Sequence, residues 1–209
     1  WGIEIPFDSE YVTYVWFDAL LNYITAIGFG SDEKKFNKWW PVEYHLMAKD
    51  ILTTHAVYWP TMLMASNIPL PKAIFSHGWW LMEDSKMSKS VGNVINPMDL
   101  IDQYGVDPLR YYLMRDMVLG MDASFTMDSF IKRYNADLAN DYGNLVNRVT
   151  MLIVKHFDGK IPESGDYDDT DLELIAKAKI TPQTVNTLIH ELKIHDALET
   201  TLSLIRKIN

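Results

Sequence analysis

The sequence predicts an α/β fold that turns all-α in its second part. Three observations carry this. Runs rich in β-branched, aromatic and apolar residues stand at Tyr11–Val15, Tyr44–Ala48 and Ala73–Phe75, with helical patterns between them. Strand–helix–strand–helix–strand order implies a parallel sheet with crossover helices. From about Met98 onward only helical periodicity remains.

The elements follow in order. After the first strand the period changes: Trp16, Ala19, Leu20 and Tyr23 fall on one face of a helix, which Gly28 and Gly30 end. Ser31 to Lys38 reads as a polar connection. Tyr44–Ala48 is the second strand, and Asp50 stands where an N-cap would. Ile51, His55 and Trp59 recur every four residues on the next helix, which Pro60 is expected to kink or interrupt. Ala73–Phe75 is the third strand. It is followed by His77-Gly78-Trp79-Trp80 and a doubly basic loop, Lys86-Met87-Ser88-Lys89-Ser90.

Ligands of parallel sheets bind beyond the carboxyl ends of the strands. Trp16, Asp50, His77 and the basic loop all lie just past predicted strand ends. They are expected to converge on one crevice.

The second part reads as helices. Pro97 to Gly105 is a short one stopped by glycine, and Pro108 to Met114 another. Ser129 to His156 is a long amphipathic helix with Leu138, Tyr142, Leu145, Val149 and Leu152 on one face. An acidic stretch with interleaved Gly and Pro, from Asp158 to Glu173, reads as a solvated loop between helices. Further helices fill Asp171 to Asn209, with Thr181-Pro182 expected to interrupt them and Pro182 placed as a first helical residue.

Composition bounds the function. Hydrophobic residues make up 48% and charged residues 22%, the balance of a soluble globular protein, and no run is long enough to span a membrane. No secretory signal opens the chain. The absence of cysteine excludes disulfides and thiolate metal sites and fits a reducing compartment. The six histidines lack metal-ligand spacing, so neither zinc nor another metal site is expected. A net charge of −9 argues against non-specific nucleic-acid binding but leaves room for a local basic patch.

Lys86 and Lys89, with Ser88 and Ser90 between and after them, suit a polyphosphate leaving group. Ammonium groups on flexible stems can follow phosphate oxygens as they move. Taken alone, such a five-residue run is more often a solvated surface loop. The context decides: Lys86 to Ser90 matches the KMSKS signature of class I aminoacyl-tRNA synthetases letter for letter. Trp1-Gly2-Ile3, Tyr14 to Leu20, Lys49-Asp50-Ile51, His55 to Pro60, His77-Gly78-Trp79 and Asn135 to Asn140 stand in the order found in the methionyl-tRNA synthetases, and the chain resembles that family up to Arg148.

The resemblance implies the second half of a Rossmann-like nucleotide-binding domain over 1–97, a connecting region over 98–128 and a helical-bundle anticodon-binding domain over 129–209. The family's HIGH signature is not in this sequence. The piece is therefore expected to need the remainder of the catalytic domain as a partner and to be inactive unaided. The implied activity is methionine–tRNA ligation, with ATP, Mg2+ accompanying it, L-methionine and tRNA(Met) as cofactors and partners, in the cytoplasm and away from membranes. A leucine-, isoleucine-, valine- or cysteine-specific relative, or a non-catalytic tRNA-binding piece, is the alternative.

Residue by residue, the resemblance implies that Lys89 and Lys86 are catalytic. They would bind ATP together with Ser88, Asp50, His77, Gly78 and Trp79. Trp16, Ala19, Leu20, Tyr23, Ile51, His55 and Trp59 would bind methionine. Asn144 and Arg148, one turn apart, would read the anticodon. Without the resemblance, helical spacing favours ordinary core packing for the aromatic set and a solvent-facing pair for Asn144 and Arg148, and a helix cap explains Asp50 equally well. The family has glycine where Ala48 stands, two residues before Asp50, which bears on a ribose contact.

Overall fold

The computed structural model describes residues 2–82, 85–87 and 94–209, with Ser85 and Lys86 described by backbone only. Two compact units divide between His77 and Gly78.

In the first unit, β1 (Ile3–Ile5) and β2 (Asp8–Thr13) form an antiparallel hairpin with Ile3 opposite Thr13. This corrects the expectation that the first strand joins a parallel sheet. The two-residue connection Pro6-Phe7 offers a local partner. The strand also stops early: Val15 sits at φ 44°, outside the extended region, and turns the chain into helix α1 (Trp16–Thr25).

Helix α2 (Glu33–Trp39) replaces the expected polar connection. The Asp32 carboxylate accepts the Lys35 N–H at 2.9 Å, while Glu33 and Lys38 complement the two helix ends. Strands β3 (Tyr44–Ala48) and β4 (Ala73–His77) pair in parallel, in register from Tyr44 against Ala73 to Ala48 against His77. The parallel crossover expected here is present.

The crossover is a 3-10 turn (Lys49–Ile51), a π turn (Thr54–Tyr58) and helix α3 (Trp59–Ala65). Asp50 lies inside the 3-10 turn rather than at an N-cap, because that turn already begins at Lys49. Pro60 does not break the helix. It is the second residue of α3, which continues directly from the π turn. Leu20, Ile24, Trp40, Trp59, Leu63 and Ile68 form the core of this unit.

In the second unit, β5 (Trp80–Met82) pairs antiparallel with β6 (Ser85–Lys86) and parallel with β7 (Ala123–Phe125). Helix α4 (Pro97–Tyr104) starts on the Asn96 side chain, which accepts the Met98 N–H at 3.1 Å. It ends at Gly105, whose φ of 89° suits only glycine. Helix α5 (Val106–Asp116) lies between α4 and β7.

The expected long helix is three segments: α6 (Met127–Arg133), a π segment (Tyr134–Gly143) and α7 (Asn144–Phe157). The π segment shifts the phase of the apolar stripe. Asp137 rather than Leu138 becomes the fully buried position, while Tyr142, Val149 and Leu152 are exposed. Helix α8 (Asp169–His190) opens with a reciprocal capping box between Asp168 and Asp171 and runs through Pro182, where an interruption was expected. The Thr181 hydroxyl bonds the Lys177 carbonyl at 2.8 Å, taking up an acceptor next to the bond that proline cannot make. Helix α9 (Ile194–Ile208) packs on α8.

Leu100, Leu109, Tyr112, Phe125 and Phe130 form the second core. No helix among the described residues is long and apolar enough to cross a membrane.

Candidate functional site

The first unit gathers aromatic rings at one end of its core. Helix α1 supplies Trp16 and Tyr23, the crossover supplies His55 and Trp59, and strand β3 supplies His45. Tyr23 lies with its ring centroid 4.4 Å from His45, 5.6 Å from His55 and 6.0 Å from Trp59. Trp16 meets His55 edge-on at 6.3 Å. His55 and Trp59 are buried, whereas Trp16 and Tyr23 are each 38% exposed. The cluster is therefore anchored in the core and open at one side.

Hydrogen bonds order its donors and acceptors. The Ile51 carbonyl can only accept, so Nδ1 of His55, 3.0 Å away, carries a hydrogen. In the neutral imidazole Nε2 then accepts the Tyr23 hydroxyl at 2.8 Å. The Trp59 indole N–H can only donate, and it donates to Nε2 of His45 at 3.0 Å. That bond requires an unprotonated Nε2. Burial, and secondarily the charge of nearby His55, pushes the His45 pKa below the ordinary imidazole value in keeping with this. The O–H of Tyr23 and the indole N–H of Trp59 are thus committed within the cluster. What faces outward is aromatic surface, suited to a polarizable, weakly hydrogen-bonding side chain.

The sequence-predicted set divides on this geometry. Tyr23, His55 and Trp16 sit together at the open end. Leu20 and Trp59 belong to the hydrophobic core, so the core reading holds for them as well. Ala19 is exposed on α1, and Ile51 acts through its carbonyl. His45 and Trp40 were not singled out. The alternation of β3 carried the only signal: His45 and Met47 share its buried face. A cleft of about 610 Å3 adjoins the cluster between α1 and α3, lined by Trp16, Phe17, Leu20, Ile24, Trp59 and Met62 among others.

Asp50 and His77 lie at the carboxyl ends of the paired strands β3 and β4, as anticipated for ligand-facing positions. In the second unit Gly78 is buried, and a Cβ there would lie 2.1 Å from the Met121 carbonyl oxygen. The Trp79 N–H donates to the Asp122 carboxylate at 2.8 Å, and the Ala123 N–H donates to the Trp79 carbonyl at 2.9 Å. Gly78 is thus required by close approach of protein backbone, a sufficient reason for glycine without any ligand. Asp122, which the sequence did not single out, holds the following residue.

Of the basic loop, Lys86 is the second residue of β6, and Met87 packs on the second core. Ser88, Lys89 and Ser90 lie outside the described residues.

Asn144 and Arg148 share a face of α7. The Asn144 amide donates to the Asn209 side-chain oxygen at 3.2 Å, and the Arg148 guanidinium donates to the Asn209 backbone oxygen at 2.8 Å. Asn144 also lines an open polar concavity of about 530 Å3 with Asn140, Gly143 and Asn147.

Behind this face lies an ionic network. The Arg115 guanidinium approaches Asp137 at 3.4 Å and also pairs with Glu199, while Tyr111 donates to Asp137 at 2.7 Å. Arg133 bridges Asp116 at 2.8 Å and Asp137 at 3.4 Å. Burial, then the Asp137 carboxylate, raises the Tyr111 pKa, so the phenol stays neutral. Asp137 belongs to the run Asn135–Asn140 that marks the resemblance. Its role is structural: it ties α5 to the π segment.

An α/β unit with a parallel strand pair is followed by a mainly helical one. The family model described as tRNA synthetases class I (M) matches residues 1–150, and the chain belongs to this family. It is 50% identical over its whole length to a methionine–tRNA ligase of Clostridium acetobutylicum and 49% identical to one of Halalkalibacterium halodurans. It covers 33% and 32% of those proteins, so it spans about a third of the length of the curated relatives it matches. A solved structure of Mycobacterium tuberculosis methionyl-tRNA synthetase in complex with methionyl-adenylate aligns with 99% of this chain and 41% of its own. The TM-score is 0.90 and the identity 40%.

Proposed function

We propose that this chain is the second half of the catalytic domain, and the start of the helical anticodon-binding domain, of a methionine–tRNA ligase. Residues 1–97 would carry the catalytic half, 98–128 the connection and 129–209 the tRNA-reading helices. The observation that carries the reading is the neutral ring cluster of Tyr23, His45, His55 and Trp59 beside exposed Trp16, in a chain of this family. A thioether gains from several aromatic contacts at about 0.3–1.5 kcal/mol each and needs no strong donor.

In the reaction the methionine carboxylate oxygen attacks the α-phosphorus of ATP. The bond from that phosphorus to the bridging oxygen breaks, and pyrophosphate leaves with the electron pair. A hydroxyl of the tRNA 3′-terminal ribose then attacks the activated carbonyl and releases AMP. Lys89, assisted by Lys86 and Ser88, would stabilise charge on the leaving pyrophosphate. Asp50, His77, Gly78 and Trp79 would form the nucleoside side, and Asn144 with Arg148 the anticodon contact. Mg2+ would arrive on the ATP phosphates. The setting would be cytoplasmic.

The test is amino-acid-dependent ATP–pyrophosphate exchange by the full-length parent, run with methionine, leucine, isoleucine, valine and cysteine. Methionine should dominate. Lys89→Ala should lower exchange at least about tenfold, the loss of one charge-assisted transition-state contact, with methionine KM little changed. Exchange supported by another amino acid, or by none, contradicts the reading.

A further inference from the structure

We propose that His45 is a positioning residue for amino-acid recognition, holding Trp59 and Tyr23 in the arrangement that receives the methionine side chain. The inference rests on the methionine-ligase reading and adds a residue to it.

His45 points from β3 into the buried face and is 5% exposed. Its Nε2 is the acceptor for the Trp59 indole N–H at 3.0 Å, which fixes the rotation of that ring. Its ring lies 4.4 Å from that of Tyr23, tilted by 51°, closer than His55 or Trp59 comes to Tyr23. Trp40 packs on it at 6.0 Å, and the Trp40 indole is itself held by the Pro69 carbonyl at 2.8 Å. Tyr23 is therefore gripped twice, by His55 through its hydroxyl and by His45 through its ring. Trp59 is held by His45 through its indole N–H and by Trp40, which meets it edge-on at 6.1 Å. Removing the imidazole takes one hold from each ring and leaves a buried indole N–H without its acceptor.

The arrangement also makes recognition sensitive to acid. The titratable groups facing His45 are Tyr23 from α1 and His55 from the π turn, 6.2 Å away between ring centroids. Trp40 and Trp59 close two further sides, and β4 contributes Ile74 in register. A proton on Nε2 of His45 confronts the indole N–H of Trp59 directly. Acid therefore breaks the grip at His45.

The experiment uses steady-state exchange kinetics of the full-length parent and of His45→Phe and His45→Gln. Phenylalanine keeps the ring and removes the acceptor; the glutamine amide oxygen restores an acceptor. His45→Phe should raise methionine KM about tenfold, what one lost buried acceptor is worth, with ATP KM within about twofold. His45→Gln should recover most of that loss. As pH falls from 7 to 5, wild-type methionine KM should rise while that of His45→Gln stays level. If His45→Phe does not fold, the His45→Gln pH profile carries the test.

A methionine KM in His45→Phe within twofold of wild type overturns the proposal. So does a parallel rise of both KM values, or a His45→Gln profile that matches wild type. Absence of methionine-dependent exchange in the wild-type parent is a different failure. It removes the functional reading, and this inference with it.

Discussion

The two units bury polar groups in opposite ways. The first buries neutral rings whose donors and acceptors match: Tyr23 with His55, His55 with Ile51, Trp59 with His45. The second buries charge: Arg115 and Asp137 are both nearly inaccessible, and Arg133, Tyr111 and Glu199 surround them. A neutral matched cluster with an open side can admit an uncharged side chain without stranding an ion. A buried ionic network cannot be opened so cheaply, because each exposed partner leaves another charge unpaired. The first arrangement suits recognition and the second suits rigidity.

Four substitutions or conditions would break or sharpen this contrast. The largest effect is expected from Asp137→Ala, which takes from Arg115 its buried carboxylate and leaves it Glu199 alone: about 3–5 kcal/mol of stability lost in denaturant unfolding, with methionine KM unchanged in whatever protein remains folded. Gly78→Ala should follow. Its methyl would overlap the Met121 carbonyl, and the backbone shift should cost about 1–3 kcal/mol in the same measurement. Tyr23→Phe should destabilise by only about 1 kcal/mol. It should raise methionine KM several-fold, because the half-exposed ring loses its anchor on His55.

The smallest effect is the pH dependence of stability. The His45 pKa is lowered in the folded state, so the unfolded chain takes up the proton first as pH falls. The His45 contribution is fully present above the ordinary imidazole value near 6.5 and is lost as pH falls below it. Unfolding free energy should decline from pH 7 toward pH 5, and His45→Gln should flatten that decline.

How much of this was legible in the sequence depended on whether period and length agreed. The face of α1 was legible because Trp16, Leu20 and Tyr23 keep an ordinary helical period over ten residues. The parallel pair β3–β4 was legible from its apolar runs and crossover. The π segments were not, since wider turns leave the residue types unchanged and only shift their phase. That is why Asp137, rather than an apolar neighbour, is inside. Strands β5 and β7 have three residues each, too short for alternation to show. Helix α2 hid in a polar stretch because its signal was the cap Asp32 and not an apolar stripe. His45 was missed because one histidine in a strand of five carries no pattern of its own. Its partner Trp59 lies fourteen residues on, and only the fold brings the two together.

The most direct test of the ring cluster as the amino-acid site is the intrinsic fluorescence of the full-length protein during methionine titration. Trp16 is half-exposed at the open end, in edge contact with His55. Methionine should produce a saturable change that leucine does not, and Trp16→Phe should abolish most of its amplitude. An equal response to leucine, or an amplitude unchanged in Trp16→Phe, would contradict the account.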